Sequence, residues 1–196
     1  MVISQLGDHH GIPHLFGVCT DKAPFYLVLQ FYSVDGQTSS TLTESLKNGN
    51  IKEASDCVSV LRNIVETLTF IHSQGYVHND LKGNNVLLTR SPSGTLRPII
   101  IDFGKSEEIA SAHLPKPKVD FARARKNFPH VAPEIHRGER PSVASDVFSF
   151  GALVLRALKD GGFKIPLLKE VANSCMEATS SKRPELTKVL EKISLN

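Results

Sequence analysis

The chain has 196 residues, enough for one domain with a real core, and its 40% hydrophobic and 22% charged residues are typical of a globular protein. A net charge of +3 without a basic stripe argues against nucleic acid, three cysteines far apart form neither a disulfide framework nor a zinc site, and no apolar run could span a bilayer. The composition therefore predicts a reduced, intracellular, cytoplasmic protein with no nucleic-acid partner and no membrane segment.

The first half of the chain is predicted to hold two strands, a polar loop and one long helix. The runs HLFGVC, from His14, and FYLVLQFY, from Phe25, predict two β-strands around a turn. A loop rich in Ser and Thr follows over residues 33–43. Apolar residues between Cys57 and Ile71 recur at helical spacing, and Gly75 stands where a C-terminal cap belongs.

The second half is predicted to be mostly helical. NVLLT and LRPIIID predict a strand pair joined by the turn SPSG, and residues 104–140 show no clean period. DVFSFGALVLRAL, from Asp146, is apolar nearly all round, which indicates a buried helix. Two more helices are predicted, one over residues 166–176 and one that begins with Pro184 at its first position. The fold class is α+β.

Polar side chains are predicted to converge at one end of the second strand pair. Asn85 begins one strand and Asp102 ends the other, so an antiparallel pair places them at the same end as the loop that carries Asp80 and Lys82. Hard oxygen ligands suit Mg²⁺, and a carboxylate beside the metal can deprotonate an attacking hydroxyl. The alternative is that the polar side chains at this end of the hairpin only form hydrogen bonds with nearby backbone groups.

Five short motifs resemble those of protein kinases. HNDLKGNN, from His78, resembles the catalytic loop, and Asp102-Phe103-Gly104 resembles the metal-binding triplet. Ala132-Pro133-Glu134 resembles the end of the activation segment, and DVFSFG, from Asp146, resembles the buried central helix whose aspartate anchors the catalytic loop. SSKRP, with Arg183, resembles the site of the arginine that pairs with the glutamate after Ala-Pro.

This resemblance implies a protein-kinase-like fold that covers the hinge and the C-terminal lobe. Residues 1–32 would be residual N-lobe strands and the hinge, and residues 33–196 a mostly helical C-lobe. The implied activity is phosphoryl transfer from ATP to a hydroxyl of a protein substrate, with Mg²⁺ as cofactor. The Ser/Thr class is favoured because Lys82 follows Asp80 by two residues.

The resemblance also assigns roles to individual residues. Asp80 would be the catalytic base and Lys82 a contact to the transferred phosphate, and Asn85 and Asp102 would bind Mg²⁺. Four residues would surround the adenine as gatekeeper, hinge and floor: Leu29, Gln30, Tyr32 and Leu87.

Several features depart from the kinase pattern. The sequence holds no GxGxxG and no VAIK-like lysine before the hinge, so the first hairpin would expose its face and edge. Either the chain is a fragment of a longer kinase, or a partner or a second copy covers this hairpin. Asn79 replaces the arginine that usually precedes the catalytic aspartate, so control by phosphorylation of Ser106 or Ser111 is not expected.

Two other functions compete with an active kinase. The missing lysine favours a pseudokinase, which is a binding or scaffold module without turnover, and it leaves the activity of this chain open. The presence of Asp80, Asn85 and Asp102 opposes that alternative. A small-molecule phosphotransferase could share the loop, but Ala132-Pro133-Glu134 and Arg183 argue against it.

Overall fold

The computed structural model describes residues 2–118 and 120–194 of the protein, which form small β-hairpins attached to a helical body. The outer limits of the predicted domain, residues 1 and 196, lie outside this range. The described elements confirm the α+β class, with short antiparallel sheets of two strands each and a majority of helices.

The first hairpin consists of β1 (Leu15–Cys19) and β2 (Tyr26–Leu29), paired antiparallel. The pairing is irregular near Gly17. Both predicted strands are present, although β2 ends at Leu29 rather than continuing to Tyr32. Most side chains of this hairpin are exposed on both faces.

Two helices follow the hairpin. The short helix α1 (Leu42–Lys47) lies where the sequence predicts only loop, and a capping box begins it: the Thr41 hydroxyl accepts from the Glu44 amide while the Glu44 carboxylate accepts from the Thr41 amide. The long helix α2 (Ala54–Ser73) confirms the predicted helix. It ends just before Gly75, whose φ of +83° is the left-handed conformation that a helix C-terminus favours.

The second hairpin consists of β4 (Val86–Arg90) and β5 (Leu96–Ile100), the antiparallel pair that the sequence predicts. Val86 lies opposite Ile100, and Arg90 opposite Leu96. A smaller antiparallel pair is formed by β3 (Tyr76–Val77) and β6 (Glu107–Glu108).

The C-terminal half is helical, and its helices differ from the predicted ones in two places. Residues 104–140 are not wholly irregular, because local caps such as the Asp120 carboxylate, which accepts from the Arg123 amide, start short helices there. Pro184 is not the first helical residue: the last helix begins at Leu186. The helices are α3 (Phe121–Asn127), α4 (Pro133–His136), α5 (Val143–Asp160), α6 (Pro166–Cys175) and α7 (Leu186–Ser194).

The core lies between α2, α5, α6, α7 and the second hairpin. Apolar side chains of α2 face it, and residues 145–151 of α5 are buried all round, as predicted. A Cβ at Gly151 would overlap Cys175 and the backbone of Ala172, so the glycine allows α5 and α6 to pack closely. None of the described helices is long and apolar enough to cross a membrane.

Candidate active site

Asp146, at the start of α5, fixes the loop of residues 78–85, which we call the catalytic loop. Its carboxylate accepts hydrogen bonds from the backbone amides of His78 at 2.7 Å and Asn79 at 2.9 Å, and its Oδ2 contacts His72 Nε2 at 2.9 Å. Burial raises the pKa of Asp146, but the bonds to His72 and the loop amides outweigh it and lower the pKa overall. The loop is therefore tied to a buried charge in the core.

His78 connects the catalytic loop to the strand end that precedes Asp102. Its Nε2 lies 3.1 Å from the Ile101 carbonyl oxygen, and its Nδ1 lies 3.3 Å from the Asp80 amide. Burial lowers the pKa of His78, so the ring is neutral and donates from Nε2 while it accepts at Nδ1. The imidazole therefore acts as a structural bridge in this arrangement.

The Asp80 carboxylate lies at the centre of a cluster of donors. Lys82 Nζ and Lys105 Nζ contact its Oδ2 at 2.9 Å and 3.1 Å, and His130 Nε2 contacts its Oδ1 at 3.2 Å. Burial raises the pKa of Asp80, but these hydrogen bonds outweigh it and lower the pKa to about 2. The residue is only 4% exposed, and its carboxylate stays ionised at every pH at which the protein would work.

Asn85 joins the catalytic loop to the second hairpin. Its side-chain amide nitrogen donates to the Asp80 backbone carbonyl at 2.9 Å and to Asp80 Oδ2 at 3.3 Å, while the Asn85 backbone carbonyl accepts from the Ile101 amide at 2.9 Å. Asp102 follows directly, with a left-handed φ of 65° and an exposed carboxylate. The structure thus brings Asp80, Lys82 and Asn85 into contact and places Asp102 one residue beyond the pairing of Asn85 with Ile101.

The residues predicted to surround the adenine lie in two segments, the end of β2 with the residues that follow it and the strand β4. Tyr32 donates its hydroxyl to Gln30 Oε1 at 3.2 Å, just after β2. A hydrogen bond from Thr89 Oγ1 to the Ser33 carbonyl, at 3.1 Å, attaches this segment to the second hairpin. Leu29, Gln30 and Tyr32 therefore lie at the end of the first hairpin or just after it. Leu87 lies on β4.

Glu134 and Arg183 form a buried ion pair outside the Asp80 cluster. Arg183 Nη1 and Nη2 donate to the two carboxylate oxygens of Glu134 at 2.5 Å and 2.8 Å, and Arg183 also donates to the carbonyls of Ala144 and Glu177. This pair fixes the segment that carries His130 against α5. Removing one partner of such a pair typically costs about 3–5 kcal/mol.

The sequence patterns did not predict two side chains of the cluster, Lys105 and His130. Lys105 directly follows Asp102-Phe103-Gly104, and His130 lies two residues before Ala132-Pro133-Glu134. A titratable residue beside each matched motif was the available signal. The side-chain amide of Asn79 donates to the Lys105 backbone carbonyl at 3.2 Å and ties Lys105 to the catalytic loop.

Comparison with known proteins identifies the class of protein to which this chain belongs. The family model for the protein kinase domain matches residues 1–162. The chain therefore belongs to the protein kinase domain family, a family of transferases, as the five motifs indicate.

Individual relatives agree with that family. The chain is similar to the serine/threonine-protein kinase PDK1 of Cryptococcus neoformans, at 31% identity over 74% of this chain and 11% of that protein. It is also similar to the serine/threonine-protein kinase PknA of Nostoc, at 27% identity over 80% of this chain and 27% of that protein. The tyrosine kinase receptor Cad96Ca of Drosophila melanogaster matches at 24% identity over 84% of this chain. The chain covers only 22% of that receptor and correspondingly little of the other two.

Proposed function

We propose that this protein transfers the terminal phosphoryl group of Mg·ATP to a hydroxyl of a protein substrate, with a preference for Ser or Thr. The observation that carries the proposal is the cluster on Asp80, in which Lys82 and Asn85 contact one carboxylate oxygen at the end of the hairpin that leads to Asp102. Similarity to two serine/threonine-protein kinases supports the Ser/Thr class.

In this proposal Asp80 accepts the proton of the substrate hydroxyl. Its low pKa keeps it ionised, and its Oδ1 has one partner, His130, while its Oδ2 has three. The less encumbered oxygen is therefore the one that a hydroxyl would approach. Lys82, 2.9 Å from Oδ2, can turn from Asp80 to a transferred phosphate because its side chain is about one third exposed.

The residues at the hairpin end fit a magnesium ion. The Asn85 amide nitrogen points at Asp80, so the amide oxygen is the end left for a metal, and the Asp102 carboxylate is exposed. Two protein oxygens suit Mg²⁺, which takes its other ligands from water and phosphates. When bound, the ion would neutralise charge on the phosphates. We further propose that Leu29, Gln30, Tyr32 and Leu87 hold the adenine, with residues 1–32 as residual N-lobe strands and hinge and residues 33–196 as the C-lobe.

A second candidate is a kinase-shaped binding module without turnover. The observation that favours it is that both oxygens of Asp80 are already bonded to side chains of the protein itself, so the carboxylate is satisfied without any substrate. The exposed apolar first hairpin is consistent with a covering partner or with association of two copies.

A transfer assay with radiolabelled ATP separates the two candidates. Asp80→Ala should reduce transfer to protein by about 10²–10⁴-fold, the usual effect of losing a positioned base. Asp21→Ala, an exposed carboxylate in the turn of the first hairpin, is the control and should leave transfer unchanged. Full turnover in Asp80→Ala would contradict the proposed mechanism, and ATP binding without any transfer would favour the binding module.

A further inference from the structure

A cavity of about 570 Å³ lies between α1, the catalytic loop and α5. Lys82 and His130, which both contact Asp80, also line this cavity. Asp102 and Leu87, which are assigned to the metal and the adenine, do not line it. The cavity therefore adjoins the partners of Asp80 without including the residues proposed for the metal and the adenine, so a phosphate acceptor that reaches Asp80 would lie next to it.

The charged side chains that line the cavity are all cationic: Lys47, Lys82, Arg156 and Lys159. Two of them have carboxylate partners, since Lys82 pairs with Asp80 and Arg156 with Asp160. The other two lysines are exposed and make no ion pair with any residue that the structure describes. Within the described part of the chain no acidic side chain lines the cavity.

The cavity is also open and partly apolar. The connection between α5 and α6 is confined to residues 161–165, and Lys159, at the end of α5, is exposed. Leu153, Leu155 and Met176 provide apolar wall beside the cations. Such a wall suits the aliphatic stem of a glutamate side chain, while the lysines suit its carboxylate.

We propose that this cavity binds an acidic residue of the protein substrate close to the acceptor hydroxyl, and that Lys47 and Lys159 select for that residue. The inference rests on the proposed function, because it assigns a substrate class to the same site. The occupant is a peptide carboxylate. Charge complementarity carries the choice, since two unpaired cations beside the acceptor position attract anionic side chains and disfavour basic ones.

The test compares matched peptides and matched variants of the protein. Peptides with one Ser acceptor carry Glu at each flanking position in turn, and the same peptides with Gln are the reference. The parent protein should phosphorylate the best Glu peptide with a kcat/KM about 5–20-fold above its Gln counterpart, as expected for two partly exposed charge pairs. The preference should shrink as salt is added.

The double variant Lys47→Gln, Lys159→Gln should lose most of that preference. The control is Lys188→Gln, an exposed lysine on α7 that does not line the cavity, and it should keep the preference in full. Equal use of Glu and Gln peptides by the parent would overturn the inference, and so would a preference that survives in the double variant.

A binding measurement separates this inference from the proposed function. Fluorescence anisotropy of labelled Glu and Gln peptides needs no turnover, and the Glu peptide should bind more tightly only when both lysines are present. Lysine-dependent binding without transfer would support the cavity and count against the proposed function. Transfer without any Glu preference would support the proposed function and count against the cavity as a binding site for an acidic residue. A phosphoserine peptide that binds about tenfold or more tightly than the Glu peptide would overturn the carboxylate as occupant.

Discussion

The molecule contains two antiparallel hairpins of similar size in very different surroundings. In the first hairpin, β1 with β2, Phe16 is 66% exposed and Val28 52% exposed. In the second, β4 with β5, Val86, Leu88 and Ile100 are fully buried. An isolated two-stranded hairpin is only marginally stable in water, so strand pairing alone does not account for the stability of either hairpin. Packing on α2 buries the second hairpin, whose end carries Asn85 and Asp102, while nothing in the described chain covers the first.

Thiol reactivity should show the largest difference between the two regions. Cys19 lies exposed on β1, whereas Cys57 and Cys175 are buried in the core. Burial raises the pKa of Cys57 to about 11 and that of Cys175 to about 12, so little reactive thiolate forms at neutral pH. Alkylation followed by mass spectrometry should modify the core thiols at least about 1000-fold more slowly than Cys19, because they react only when the core opens. Comparable rates at all three cysteines would contradict the comparison.

Equivalent leucine truncations should affect the two hairpins unequally. Leu88→Ala should lower the free energy of unfolding by about 2–5 kcal/mol, because it leaves a cavity in a packed core. Leu27→Ala, on β2, where the side chain is 45% exposed, should change it by less than about 1 kcal/mol. Urea unfolding of both variants tests this pair. Equal losses would mean that the first hairpin is packed as firmly as the second.

Acid should weaken the region around the second hairpin specifically. The pKa of Asp80 is about 2 in the folded protein and near 3.9 in an unfolded chain, so its ionisation stabilises the fold above about pH 4 and this stabilisation is lost as the pH falls toward about 2. Asp80→Asn should cost about 1–2 kcal/mol at neutral pH, after a discount because water reaches Lys105, and much less near pH 2. Asp21→Asn, in the turn of the first hairpin, is the control. A cost for Asp80→Asn that is independent of pH would contradict this assignment.

Phosphorylation should have the smallest effect on the site. The amide of Asn79 already holds the Lys105 carbonyl, and a neutral amide gains far less from a phosphate than a guanidinium does. Transfer by phosphatase-treated and untreated protein should therefore differ by less than about twofold. A large loss that is restored by phosphorylating Ser106 or Ser111 would show that the site depends on modification.

The sequence predicts the strand pairing of the second hairpin, but it predicts only some of the side chains that contact Asp80. The strand pair, the SPSG turn and the shared end of Asn85 and Asp102 follow from local patterns, because antiparallel register is set over a few residues. Lys105 and His130 reach Asp80 from positions 25 and 50 residues along the chain, and no periodicity encodes such contacts. Helix α1 was missed because six residues are too few to show a helical period.

Calorimetric titration with ATP in the presence and absence of Mg²⁺ tests the central claim most directly, because it requires no turnover and no substrate. The claim is that the end of the buried hairpin, with Asn85 and Asp102, is a metal and nucleotide site. We expect Mg²⁺ to strengthen ATP binding by the parent protein, Asp102→Asn to abolish that dependence, and Asp21→Asn to preserve it. Binding by the parent that is equal with and without Mg²⁺ would contradict the account.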